Sequence, residues 1–167
     1  MAADRLIVCN TSPVINLAET GLLDLLEGLP GIPCIPPAVH SELIAKSGLF
    51  PAAAVAAGSS RFRLMTPANA LLVRGFASSL HRGESECLAV GMEIPGSLLV
   101  LDDLSARTVA EANSLPITGT LGILALAKRS GRLRLLAPVL KDLRIRARFW
   151  ISPQLERRML EEAGEAP

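Results

Sequence analysis

The side chains best suited to chemistry stand where apolar runs end. Ile7-Val8-Cys9 runs into Asn10, and "SLLVL" (97–101) runs into Asp102 and Asp103. In open parallel sheets, sites form outside the carboxyl ends of strands, so both groups are expected to face one crevice. Helix-borne acids can join them. Glu42 follows the Pro36-Pro37 start of a helix, and Glu84 and Glu86 lie in an acidic first turn. Each has an ordinary role when taken alone. Glu84 and Glu86 offset a helix dipole, worth about 0.3–1 kcal/mol; Asp103 caps the next helix; Glu42 is a solvated helical residue. As a set, carboxylates around one crevice repel each other unless a cation sits between them. Oxygen-only donors with no His or Cys partner favour Mg²⁺ or Mn²⁺. Such ions polarise phosphoryl oxygens and acidify bound water, which suits phosphodiester hydrolysis.

The elements that must hold these groups alternate. Strands are expected at Arg5–Cys9, Ile32–Ile35, Arg61–Met65 (half-exposed or an edge), Ser97–Asp103 and "LPIT" (115–118). Helices are expected at Pro13–Glu19 with Ser12 as N-cap, at Leu22–Leu26 and after Pro36-Pro37. Further helices are expected at Pro51–Ala57, Ala68–Leu80, the apolar stretch after "HRGES", Leu104–Asn113, Leu121–Ser130, Pro138–Arg146 and Pro153–Ala163. Alternation of this kind predicts an α/β fold, a three-layer α/β/α sandwich around a mainly parallel sheet. With no repeat, linker or low-complexity block, residues 1–167 read as a single domain.

Half the residues are hydrophobic and only 3% aromatic, a composition suited to packed helices and buried parallel strands. The net charge of +1 does not announce a nucleic-acid partner. The charge is uneven, however. Lys128, Arg129, Arg132, Arg134, Lys141, Arg144, Arg146 and Arg148 face a single acid, Asp142, over 128–148. This segment reads either as solvated helix faces or as a basic shoulder for a phosphate backbone. Cys9, Cys34 and Cys87 have no metal-type spacing and read as small buried hydrophobes of a reducing compartment. The apolar run after Asp4 and Arg5 is too short for a signal peptide. No stretch reaches roughly 18 uninterrupted apolar residues, so a soluble cytoplasmic protein without a membrane span is expected.

Five blocks, "NTSPVINLAE", "PPAVHSEL", "GESECLAVGME", "LLVLDDLSAR" and "ITGTLGILALAKRSG", resemble in order those of the PIN-domain family. The resemblance is best to its VapC-like branch and spans about Ile7 to Ala163. It implies a parallel sheet, an acidic cluster holding Mg²⁺ or Mn²⁺, and endoribonuclease activity. It also implies RNA as substrate, a small antitoxin protein as partner and a homodimer. The family's first acid falls on Asn10, with Ser12 as its Ser partner. The second falls on Glu42, the third on Glu86 and the fourth on Asp103, with Asp102 an added carboxylate. Thr118 and Thr120 fall where ligands or phosphate are oriented, and Lys128, Arg129, Arg132 and Arg134 are the cations expected to hold RNA. Asn10 departs from the pattern. An amide oxygen can ligate a hard cation but brings no charge, so weaker metal affinity is expected. The alternative is a catalytically lapsed PIN module that binds RNA or an antitoxin-like partner.

Two other classes fit less well. A receiver-type phosphoacceptor domain is suggested by "VLDD", Thr118 and Lys128, but it needs an acid pair after the first strand. A dinucleotide site needs glycine in the first strand-to-helix turn, and none is there. His40 and His81 lack partners at useful spacing.

Overall fold

A computed structural model describes residues 5–165; Asp4 and the other ends of the expected single domain, 1–3 and 166–167, lie outside it. Five short strands form one sheet: β1 (Leu6–Cys9), β2 (Ile32–Ile35), β3 (Arg63–Leu64), β4 (Leu98–Val100) and β5 (Ile117–Thr118). Their order is β3-β2-β1-β4-β5, and every pairing is parallel. Apolar residues fill both faces of the centre, as a sheet covered on both sides requires. Ile7, Val8, Cys9, Leu99 and Val100 are wholly buried.

Nine α-helices connect and cover the described strands: α1 (Thr11–Glu19), α2 (Pro37–Ala45), α3 (Pro51–Ala57), α4 (Ala70–Ala77), α5 (Arg82–Glu93), α6 (Leu104–Ala112), α7 (Thr120–Arg129), α8 (Ala137–Arg146) and α9 (Pro153–Glu162). The chain leaves β1 towards β2 and β3, then returns across β1 to β4 and β5. Right-handed crossovers therefore put α1–α3 on one face and α4–α6 on the other. α5 lies on β1 and β4 beside α4 and α6, while α1 meets α3, α7 and α8; α2 packs against both α3 and α5, joining the two sides where Glu42 accepts from Gly83 N–H. This is the three-layer α/β/α arrangement expected from the sequence.

Boundary differences have local causes. α1 starts at Thr11, with Asn10 rather than Ser12 in the N-cap position. Pro13 is still in the first turn, where no intrahelical amide donor is required. The helix expected over Leu22–Leu26 is a 3₁₀ helix, Leu23–Gly28. Only Arg63 and Leu64 of the edge segment pair, and both are exposed. The cysteines are buried and unbonded, and burial pushes the Cys34 thiol up to about 12, leaving it inert at neutral pH.

Candidate functional site

The strand order reverses between β1 and β4, and the ends of these strands are tied by Asn10 N–H donating to Val100 O at 3.1 Å. Connecting helices run back against the strands, so α1, α2, α5, α6 and α7 all begin at the carboxyl edge of the sheet. A cavity of about 810 Å³ opens there. Its walls carry Asn10, Glu42, Glu84, Asp102 and Asp103, with Lys46, Arg82 and Arg148 among the cations. It combines an acidic floor with basic groups around it.

Each acid is held differently. Asp102 is the most constrained. Its Oδ1 accepts from Thr120 N–H at 2.7 Å, and its Oδ2 from the Thr120 hydroxyl at 2.6 Å and Asn16 Nδ2 at 2.9 Å. Burial still pushes its carboxyl above the usual range; these hydrogen bonds and the Arg107 charge oppose the shift. Gly119 permits this packing, since a Cβ there would lie 2.8 Å from Asp102 Oδ1 and 3.0 Å from the Leu101 carbonyl. Asp103 is exposed and caps α6, accepting from Ala106 N–H at 2.9 Å. Glu42 reaches across from α2, accepting from the Thr11 hydroxyl and from Gly83 N–H at 3.0 Å. A Cβ at Gly83 would meet both Glu42 oxygens at 2.7 and 2.8 Å, so a larger residue there would displace this carboxylate.

Glu84 is 8% exposed and accepts from His81 N–H at 3.1 Å. Burial raises its pKa; the His81 hydrogen bond opposes this, and the Asp103 and Glu42 charges add to it. Burial and like charges thus disfavour the ionised form of this carboxyl. Asn10 is 4% exposed, and its Oδ1 has no hydrogen-bond partner among the described residues. Leaving such an atom buried and unpaired costs about 1–3 kcal/mol, so it is a ready place for a donor or cation.

The expected residues are therefore brought together in part. Asn10, Ser12, Glu42, Asp102 and Asp103 line the cavity. Glu86 does not. Its Oε2 accepts from Ala38 N–H at 2.8 Å and its Oε1 from Arg82 Nε at 3.2 Å, so it serves the start of α2. Glu84, two residues earlier, faces the cavity in its place. Thr120 acts through Asp102, and Thr118 is not among the lining residues.

The basic residues divide in the same way. α7 starts at Thr120, which is buried and holds the cavity residue Asp102, and extends about 15 Å from there, which carries Lys128 and Arg129 to its far end. Lys128 pairs with Glu165 at 2.8 Å and donates to Arg134 O at 2.7 Å. Arg132 donates to Asp24 O at 3.1 Å. Of the basic stretch 128–148, Arg148 lines the cavity. Sequence reading passed over Asn16, whose spacing from Asn10 would have placed it on the same helix, and Lys46, one turn after Glu42.

Among the described residues, no three His, Cys, Asp or Glu side chains form a ready metal cage. The donors fit the other common mode for Mg²⁺, in which one or two carboxylates and several waters hold the ion alongside substrate phosphate. Asn10 Oδ1, unpartnered and buried, is the observation that favours this mode. No described helix is long and apolar enough to cross a membrane.

No curated protein and no solved structure matches the chain. A family model described as PIN domain matches residues 6–165, nearly all of it. With its all-parallel sheet and an acidic crevice at the strand switch, the chain belongs to the PIN-domain family.

Proposed function

We propose that the protein is a divalent-metal-dependent endoribonuclease of the VapC-like toxin type. The observation that supports it most is the meeting of Asn10, Glu42, Glu84, Asp102 and Asp103 around one cavity at the carboxyl edge of the sheet. Mg²⁺ or Mn²⁺ would be held by Asn10, Glu42 and Asp103, and when bound would polarise the phosphoryl oxygen and acidify a water. Glu84, with its raised pKa, is suited to take and return the proton of that exchange. Asp102 fixes the start of α7 and closes the floor. Lys46, Arg82 and Arg148 offset the charge of an approaching RNA backbone.

A dimer and a small antitoxin belong to the same reading. α4 buries no residue and leaves Leu71 74% exposed, a surface suited to a protein partner. The test is cleavage of a single-stranded RNA with Mg²⁺ or Mn²⁺, and with EDTA as the metal-free control. Metal-dependent products that disappear in Asp103→Asn would support the assignment; no products from the parent protein with either ion would sink it.

A second reading is a catalytically lapsed module that binds RNA or an antitoxin-like partner. It is favoured by the neutral Asn10 and the lack of a three-ligand cage among the described residues. RNA binding without cleavage would select it.

A further inference from the structure

The chain holds four Phe, one Trp and no Tyr. Its sole tryptophan, Trp150, is 79% exposed. Trp is usually well buried, so a chain this poor in aromatics has placed its largest one in water. The position is specific: Ala147, Arg148, Phe149 and Trp150 together line the acidic cavity.

The backbone that brings them there is unusual. α8 ends with both Ala147 N–H and Phe149 N–H donating to Leu143 O at 3.1 Å, and the chain turns through Arg148 at φ +55°. A left-handed conformation costs a non-glycine residue roughly 1–2 kcal/mol. Glycine would remove that cost, yet the position carries a cation. Phe149 packs against the core and Ala147 is buried, which anchors the turn at both ends of Arg148. The result is a short loop, anchored on either side of Arg148, that contributes an indole and a guanidinium to the cavity wall. Three further features limit what could use it. The cavity wall is acidic at Glu42, Glu84, Asp102 and Asp103, it also carries Lys46 and Arg82, and its volume is about 810 Å³. A partner that is flat and apolar in one part and anionic in the next matches them.

We propose that Ala147–Trp150 is a single-strand RNA subsite, in which Trp150 stacks on one unpaired base and Arg148 holds a neighbouring phosphate. Stacking of this kind tolerates any base, because every base has a π-face, and it is closed to a duplex, whose bases are already stacked. The subsite thus selects unpaired RNA and holds the strand across Glu42, Glu84 and Asp103. It rests on the ribonuclease reading for its substrate, but it makes a binding claim that stands apart from catalysis.

Trp150 is also the reporter. Excited at 295 nm in EDTA, where metal-dependent cleavage is off, the protein's emission comes from this one indole. A six-residue oligoadenylate should quench it. An abasic ribose-phosphate chain of the same length should not. In fluorescence anisotropy with labelled oligoadenylate, Trp150→Ala should weaken binding about tenfold, while Trp150→Phe keeps most of it. Quenching without cleavage in Mn²⁺ would uphold the subsite and remove the nuclease reading. Cleavage with no quenching, and with equal affinity in Trp150→Ala, would do the reverse. Equal quenching by the abasic chain would also overturn the subsite, since phosphate contact alone would then explain the signal.

Discussion

The two sides of the cavity floor are built on opposite terms. On the β5 side, Asp102 has both oxygens engaged by Thr120 and Asn16. On the β1 side, Asn10 Oδ1 has no partner among the described residues, and Glu84 is held against its own charge by burial and by Asp103 and Glu42. The first arrangement is complete without a ligand. The second is short of positive charge. Proximity to the cavity therefore does not define function here. A carboxylate whose lone pairs are already used holds the fold, and one left wanting a cation is where chemistry is expected.

The sharpest way to break that contrast is at Asp103. Asn caps a helix as well as Asp does, so Asp103→Asn should leave the α6 start and the thermal midpoint nearly unchanged. RNA cleavage in Mn²⁺ should fall by about 10²-fold or more, since one of the few charged groups proposed to hold the metal becomes neutral. A variant that cleaves normally would move Asp103 to the structural side.

Asp102 should respond in the opposite sense. In Asp102→Asn one oxygen becomes an NH₂ group facing donors from Thr120 or Asn16. A buried polar mismatch costs about 1–3 kcal/mol, to be read from urea unfolding with an unchanged m-value. A variant as stable as the parent would show that the network is dispensable and would remove the distinction between the two sides.

How much of this was legible beforehand follows from the same contrast. The sheet was legible because buried parallel strands leave apolar runs, and "SLLVL" and "LIVC" are such runs. Asn10 and Asp103 were legible because each stands just past a strand, where the backbone fixes the side chain's place. Glu84 and Glu86 could not be separated. They share one helical turn, and which one meets the cavity depends on the rotation of α5, set by the packing of Cys87, Leu88 and Val90. The mapping chose Glu86, which faces Ala38 instead. The basic stretch left its two readings open for a related reason. Sequence shows that Lys128 and Arg132 are cationic, but not that Glu165 and the Asp24 carbonyl already hold them. The loop at Trp150 was silent, because a left-handed Arg148 leaves no compositional mark.

Asn10 allows the contrast to be sharpened by addition. Asn10→Asp places a charge next to Glu42, Glu84 and Asp103, so the metal-free protein should lose some stability. Mn²⁺ affinity should rise about tenfold, a small surviving part of the roughly 4 kcal/mol that two unit charges about 4 Å apart exert at surface-like dielectric. Calorimetric titration of both proteins measures it. Equal affinities would place Asn10 outside any metal site.

The smallest expected effect lies at Glu84, and its sign is the informative part. Burial, with Asp103 and Glu42 adding to it, raises the Glu84 pKa above its ordinary 4.5. The folded protein therefore binds this proton more tightly than the unfolded chain does. Under linkage, a group of that kind lowers stability as pH rises past the unfolded value, and the loss is complete once pH exceeds the folded one. Glu84→Gln removes the titration while its amide oxygen can still accept from His81 N–H. The variant should be slightly more stable than the parent at pH 8, and the advantage should disappear below about pH 4, where Glu84 is protonated in both states of the parent. Thermal unfolding of both proteins across that range tests the sign directly. Saturating Mn²⁺ should then stabilise the parent more than the variant, because the strained carboxylate gains the cation it lacks. An advantage that persists unchanged at pH 4, or a variant less stable than the parent at pH 8, would mean that Glu84 is a satisfied helix cap like Asp102's network and not the unsatisfied side of the cavity.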